Sequence, residues 1–194
     1  MISVHMNTIP LISIKKGKIF DGKDGALINQ EDLFKRLKKD TVLYLLDYDG
    51  IEHNNPNFEL YQQLTEHCIL WIDNGPRRID DVMDTIMAGA TNITLREKLW
   101  PNLDLTGVQE LTDDEIFLEK GPQYQEMKIL HTPYSGDIGI VLFNDETMYE
   151  NISKDILTKQ KVFLYTHSTD KILYWSERGV SGIIIDLQKN QGVL

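Results

Sequence analysis

Along the chain, short runs of consecutive apolar residues alternate with stretches in which apolar positions recur every three or four residues. The runs at residues 9–14 (IPLISI), 42–46 (VLYLL), 69–72 (ILWI) and 92–95 (NITL) read as strands, as do 115–118 (EIFL), 139–143 (GIVLF), 162–165 (VFLY) and 182–185 (GIII). Runs with apolar residues on both faces belong to buried parallel strands, because an antiparallel strand with one wet face would alternate. Between them lie helical stripes. Residues 30–39 carry Leu33, Phe34 and Leu37, and Asn57 caps a helix carrying Phe58, Leu60, Tyr61 and Leu64. Residues 79–88 place Val82, Met83, Ile86 and Met87 on one side, with Gly89 as the stop. Residues 147–159 and 169–178 read as the last two helices, the second ended by Gly179. The stretches 15–25, 98–114 and 120–137, punctuated by Gly and Pro, show no stripe and read as loops.

One unit is written twice. Residues 80–83 with 88–93 (DDVM, AGATNI) recur 90 positions later as 170–173 with 178–183 (DKIL, RGVSGI). Eight strands linked by recurrent helical crossovers predict an α/β architecture, a (β/α)8 TIM-type barrel formed as a single domain over residues 1–194. Neither GxGxxG nor GxxxxGK[ST] is present to favour an open doubly wound sheet. A complete barrel takes roughly 250 residues, and this chain has 194. The expected economy falls on the helices after strands 4, 5 and 8, shortened or missing, with eight residues left after Asp186. Apolar strand faces left open in this way predict a second copy covering them, a homodimer.

Composition narrows the partners. Thirty acidic against twenty basic side chains give a net charge of −10, which excludes a nucleic acid or anionic membrane as the natural partner. No apolar stretch approaches the ~20 residues of a membrane span, and residues 1–7 lack the features of a signal peptide, so a cytoplasmic protein is expected. Cys68 is the single cysteine, which rules out an intrachain disulfide, and its apolar setting predicts core packing rather than nucleophilic chemistry. Trp71, Trp100 and Trp175 read as core or interface anchors. No His or Cys spacing suggests zinc, and no cofactor is expected.

In a barrel the residues just past each strand meet at the C-terminal mouth. That rule nominates Asp47, Asp49, Glu119 and His167 as candidate catalytic groups, and Ser13, Lys15, Asn74, Gly75, Arg77 and Thr166 as candidate substrate-binding groups. Asp73, Glu97, Lys120, Asn144, Asp145 and Asp186 fall at the same level. The D-x-D after residues 42–46 places Asp47 and Asp49 on one side of an extended strand, where each would raise the other's pKa. An acidic mouth suits a small polar or cationic ligand, with or without a hard divalent ion, and several of these carboxylates can equally cap helices or pair with Lys and Arg.

Several of these segments resemble one family. Residues 9–18 (IPLISIKKGK) resemble strand 1 of the ProFAR isomerase family of histidine biosynthesis, which reads I-P-A-I-D-[LI]-K-x-G-K. Residues 45–50 (LLDYDG) resemble its L-V-D-L-D-G, residues 57–60 (NFEL) its N-x-E-L, residues 72–81 (IDNGPRRIDD) its V-G-G-G-I-R-x-x-E-[DE], and residues 88–90 its A-G-A/V stop. The likeness is clear over residues 9–95 and weaker over 138–186. It is nearest to a branch from methanogens and methylotrophs, without an assigned reaction, that accompanies genes for one-carbon (tetrahydromethanopterin-type) cofactor synthesis.

The resemblance implies a barrel that isomerises a phosphoribosyl aldose to a ketose with carboxylates at the ends of strands 1 and 5. Here the first falls on Ser13, which lacks a carboxylate's basicity, and the second on Glu119, one methylene longer. The phosphate-cradling S-G-G and Gly-Thr/Lys-Ala loops are replaced by residues 165–169 (YTHST) and 186–190 (DLQKN). These departures predict loss of the parental isomerase activity. Two expectations remain: a divergent barrel acting on or binding a small metabolite of one-carbon cofactor synthesis, or a catalytically silent barrel serving as an interaction partner.

Overall fold

Every strand of the barrel carries side chains alternately inward and outward, and both sets are apolar because both faces are buried. In the computed structural model, which describes residues 6–120, 138–143, 149–150 and 152–189, eight parallel strands close on themselves. They are β1 (Asn7–Lys15), β3 (Val42–Asp47), β4 (Ile69–Asp73), β5 (Ala90–Arg96), β6 (Glu115–Lys120), β7 (Gly139–Leu142), β8 (Val162–Thr166) and β9 (Gly182–Asp186). The seam is the pairing of β1 with β9, from Asn7 opposite Gly182 to Leu11 opposite Asp186. The expected α/β TIM-type barrel is therefore the observed fold.

The barrel interior is filled by Ile9, Leu11, Tyr44, Leu46, Trp71, Phe117, Val141, Phe163, Tyr165 and Ile184. Trp71 packs against Phe117 at a centroid distance of 4.0 Å and meets Phe163 edge-on at 4.9 Å. Rings of this size fit only because the neighbouring inward positions are empty. A Cβ on Gly139 would lie 2.3 Å from the Phe117 ring, and one on Gly182 would lie 2.5 Å from that of Phe163. Outward residues such as Leu43, Leu45, Leu70 and Ile72 pack beneath α1 (Gln30–Arg36), α3 (Phe58–Thr65) and α4 (Ile79–Met87). A second outer cluster lies beneath α6 (Lys154–Lys159) and α7 (Ile172–Glu177), with Trp175 at its centre. The repeated unit survives as matching geometry: Gly89 ends α4 at φ +103° and Gly179 follows α7 at φ +93°. Cys68 is buried, and burial pushes its thiol up to about 12.

Several elements differ from the sequence expectation, each for a local reason. Residues 15–25 do not form a plain loop. Lys16 and Gly17, both at positive φ, turn the chain into β2 (Lys18–Asp21), antiparallel to the upper half of β1, where β9 has already ended. Residues 48–53 form a short helix, α2 (Tyr48–His53), which carries too few apolar residues to show a stripe. Within 98–114 a helix forms after all, α5 (Leu105–Leu111), capped by the Asp104 side chain on the Gly107 N–H. It has seven residues, shortened as expected after the fourth barrel strand, but it is not a loop. Within the helix expected at 147–159, α6 begins at Lys154, where Ser153 caps it by accepting from the Ile156 N–H, and Tyr149 belongs to a helical turn before that cap. After β9 the chain makes one 3-10 turn, Leu187–Lys189. Most of the loop expected at 120–137, with Asn144 and Asp145, lies outside the described residues.

Because Phe117 is held on all sides, it cannot yield to a methyl group. Gly139→Ala is expected to cost about 1–3 kcal/mol, measured by urea denaturation; a neutral substitution would show that the interior is less tightly filled than described.

Candidate functional site

The inward alternation decides which side chains reach the C-terminal mouth: Asp73 above Trp71, Arg96 above Thr94, Glu119 above Phe117, and Tyr165 above Phe163. At the centre is an ion pair. Asp73, fully buried, accepts from Arg96 Nε at 2.8 Å and Nη2 at 2.7 Å. The Tyr44 hydroxyl donates to Asp73 Oδ2 at 3.0 Å and lies 3.0 Å from Thr94 Oγ1, which also accepts from the Trp71 indole N–H at 2.9 Å. Burial works against the charge on Arg96, but the pair with Asp73 outweighs it and raises the guanidinium pKa. Glu119 Oε2 stands 3.8 Å from Arg96 Nη1, beyond hydrogen-bond reach. Burial raises the Glu119 pKa; Arg96 lowers it and Asp73 raises it, and the net shift is upward.

A second group lies across the mouth. The Tyr165 hydroxyl donates to Asp186 Oδ1 at 2.7 Å and lies 3.1 Å from His167 Nδ1, which is itself 3.3 Å from Asp186 Oδ2. Burial, then the hydrogen bond to Asp186, raises the Tyr165 pKa. Lys189 Nζ stands 3.6 Å from Asp186, and the Lys23 N–H reaches that carboxylate at 3.4 Å. His167, Ser168, Thr169, Gln188 and Lys189 line a polar cleft of about 400 Å³ between the segments following β8 and β9. On the β1 side, Ser13 is buried and donates to the Lys23 carbonyl at 3.4 Å. Lys15 lies over the Tyr48 ring at 4.4 Å and pairs with Asp24 at 3.0 Å.

The structure thus brings Glu119, His167, Ser13 and Lys15 to the mouth and places other candidates elsewhere. Asp47 belongs to the outward register of Leu43 and Leu45. It caps α2 through the N–H groups of Asp49 (3.0 Å) and Gly50 (3.2 Å), and accepts from Asn57 and from the Tyr61 hydroxyl. Asp49 does not share an extended strand with it, because the strand ends at Asp47 and Asp49 lies inside α2. Its carboxylate accepts from the N–H of Lys16 (2.7 Å) and Gly17 (2.8 Å), pinning the turn into β2. The expected mutual rise in pKa does not occur. Burial raises Asp47, whereas for Asp49 burial is outweighed by the two N–H donors and the pKa falls. Asn57 leaves the start of α3 without a side-chain cap and instead donates to both carboxylates, at 3.0 Å and 3.2 Å.

Asn74 also points outward, donating to Thr85 at 2.9 Å. Gly75 sits at φ +69° where a Cβ would meet Leu99 at 2.7 Å. The Arg77 guanidinium is spent on the carbonyls of Gly50 (3.2 Å), Ile51 (2.8 Å) and Gly75 (3.1 Å) and on Asn54 Oδ1 (2.7 Å), tying down the end of α2. Thr166 is buried in the outward register and exchanges hydrogen bonds with the Ser168 backbone. Lys120 pairs with Glu97 at 2.5 Å. The residues missed from sequence are Arg96, Tyr44 and Tyr165. Arg96 was legible: a two-residue period from Thr94, continued one position past the apolar run, reaches it. Among the described residues, no three His, Cys, Asp or Glu side chains converge as metal ligands. Nor is any helix among them long and apolar enough to cross a membrane.

The fold and mouth define a TIM-type barrel with a polar, ion-paired C-terminal face. No family model and no curated protein matches the chain.

Two measurements test this geometry. The raised Glu119 pKa means that the folded state binds more protons than the unfolded state above the ordinary value of 4.5. Its contribution to stability is therefore full below that pH and is lost as pH rises through the folded pKa. The melting temperature of Glu119→Gln relative to the parent should rise over this interval; a pH-independent difference would contradict the shift. Asn57→Ala leaves Asp47 and Asp49 each short of a donor and is expected to cost about 1–3 kcal/mol, measured by denaturant unfolding; a cost near zero would sink the pinning role.

Proposed function

We propose that the protein is a divergent relative of the ProFAR isomerase family that binds a small polar metabolite in the barrel mouth and no longer catalyses the parental isomerisation. The observation that carries this reading is the Asp73–Arg96–Glu119 cluster, a set of charged groups converging where barrel ligands bind. Loss of the parental reaction is supported at both ends of the mouth. Ser13 stands at the strand-1 acid position, and its hydroxyl is engaged with the Lys23 carbonyl. Asp186 lies at the start of the expected phosphate loop, held by Tyr165. The assignment to one-carbon cofactor metabolism rests on the resemblance of residues 9–95.

A second reading, the silent barrel, is favoured by one observation. Asp47, Asp49 and Arg77, which the family motifs supply, all serve helix caps and turns here. We also read the protein as a cytoplasmic homodimer, supported by the exposed apolar side chains Met83 and Met87 on α4 and Leu173 and Tyr174 on α7.

The deciding experiment is a thermal-shift screen of polar metabolites, sugar phosphates and pterin precursors against the wild type and Arg96→Ala. The reading expects a compound that raises the melting temperature of the wild type but not of the variant, with no turnover of the phosphoribosyl substrate. Isomerase turnover, or an unchanged response in Arg96→Ala, would overturn it. Sedimentation velocity tests the assembly: a dimer is expected, and a monomer at high protein concentration would contradict it.

A further inference from the structure

The gap between Arg96 and Glu119 has a chemistry of its own. Asp73 holds Arg96 by Nε and Nη2, so the guanidinium cannot swing toward Glu119 without breaking a two-point ion pair. Nη1 is left 3.8 Å from Glu119 Oε2 and makes no hydrogen bond among the described residues. The Glu119 carboxyl, only 12% exposed, accepts none among them either. A donor and an acceptor this far apart at a half-buried position are satisfied together by one oxygen that accepts from the first and donates to the second. A hydroxyl group does both. A carboxylate or phosphate oxygen can accept from Arg96 but offers nothing to an ionised Glu119.

The surroundings select in the same direction. Two other cations at the mouth already face carboxylates: Lys15 meets Asp24 at 3.0 Å and Lys189 stands 3.6 Å from Asp186. An incoming anion would have to compete for them. Phe143 bridges Tyr44, whose hydroxyl holds Asp73, and Tyr165, with centroid distances of 5.5 Å and 5.2 Å, an aromatic wall suited to the C–H face of a sugar or polyol.

We propose that the ligand of this mouth is an uncharged polyhydroxylated compound, a polyol or unphosphorylated sugar, with one hydroxyl bridging Arg96 Nη1 and Glu119 Oε2. This rests on the reading of the mouth as a metabolite site and specifies the class of compound it takes.

The test is an NMR titration of the folded protein, following the Arg96 Nε–H and the side chains around Glu119. The probes are ribitol, D-ribose, D-ribose 5-phosphate and inorganic phosphate. The expected result is binding of ribitol or ribose with perturbations centred on Arg96 and Glu119, weakened about tenfold in Glu119→Ala. Glu119→Gln, which keeps the shape of the side chain and an acceptor oxygen, should lose less. Binding at Arg96 by ribose 5-phosphate or phosphate alone would overturn this inference while leaving the mouth as a metabolite site. If no probe perturbs Arg96 or Glu119, although the metabolite screen finds a ligand lost in Arg96→Ala, the hydroxyl bridge is likewise rejected. If the screen also finds none, both readings fall. Equal affinity in wild type and Glu119→Ala would remove Glu119 from the site.

Discussion

The Asp73–Arg96 ion pair is the interaction on which the upper half of the barrel depends. It places two opposite charges on top of a packed aromatic core, where leaving either one alone would be strongly destabilising. The arrangement is tolerated because it is complete on the Asp73 side: two bonds from the guanidinium, one from Tyr44, and Thr94 linking that hydroxyl to the Trp71 indole. The same hydrogen bonds tie β3, β4 and β5 together at the mouth. They also fix what is left over, since a guanidinium held in this way presents Nη1 to Glu119 at a distance it cannot shorten.

Below this layer the fold follows from volume. Trp71, Phe117 and Phe163 share an interior that Gly139 and Gly182 leave open for them. Large and small inward residues are thus matched across neighbouring strands, as dense interior packing requires. Outside the barrel, four polar side chains from residues 47–77 serve short segments at the ends of strands. Asp47, Asp49, Asn57 and Arg77 hold α2 and the turn into β2, elements too short to be stable on their own.

The strands were legible because each is a run of apolar residues with few polar interruptions, and all eight appear in the barrel within a residue or two of their expected ends. The longer helices were legible from their stripes. What escaped was structure held by single polar contacts. β2 depends on a turn pinned by Asp49, α2 on a cap from Asp47 and a clamp from Arg77, and the start of α6 on a cap from Ser153. None of these leaves a periodic signal. The site was half legible for the same reason. Position relative to strand ends found Glu119 and His167, but the facing of Asp47, Asn74 and Thr166 depends on register, and counting register from the apolar run would have turned them outward. The same count would have added Arg96 and Tyr165.

Glu119 is a largely buried carboxyl that the Asp73–Arg96 pair keeps beyond hydrogen-bond reach of Arg96 Nη1. The most direct measurement is a carbon-13 NMR titration of the Glu119 side-chain carboxyl in the folded protein. The account predicts a midpoint above the ordinary 4.5, since burial leads the opposing influences on this group. A midpoint at or below 4.5 would show that Glu119 already has a strong donor, and would contradict it.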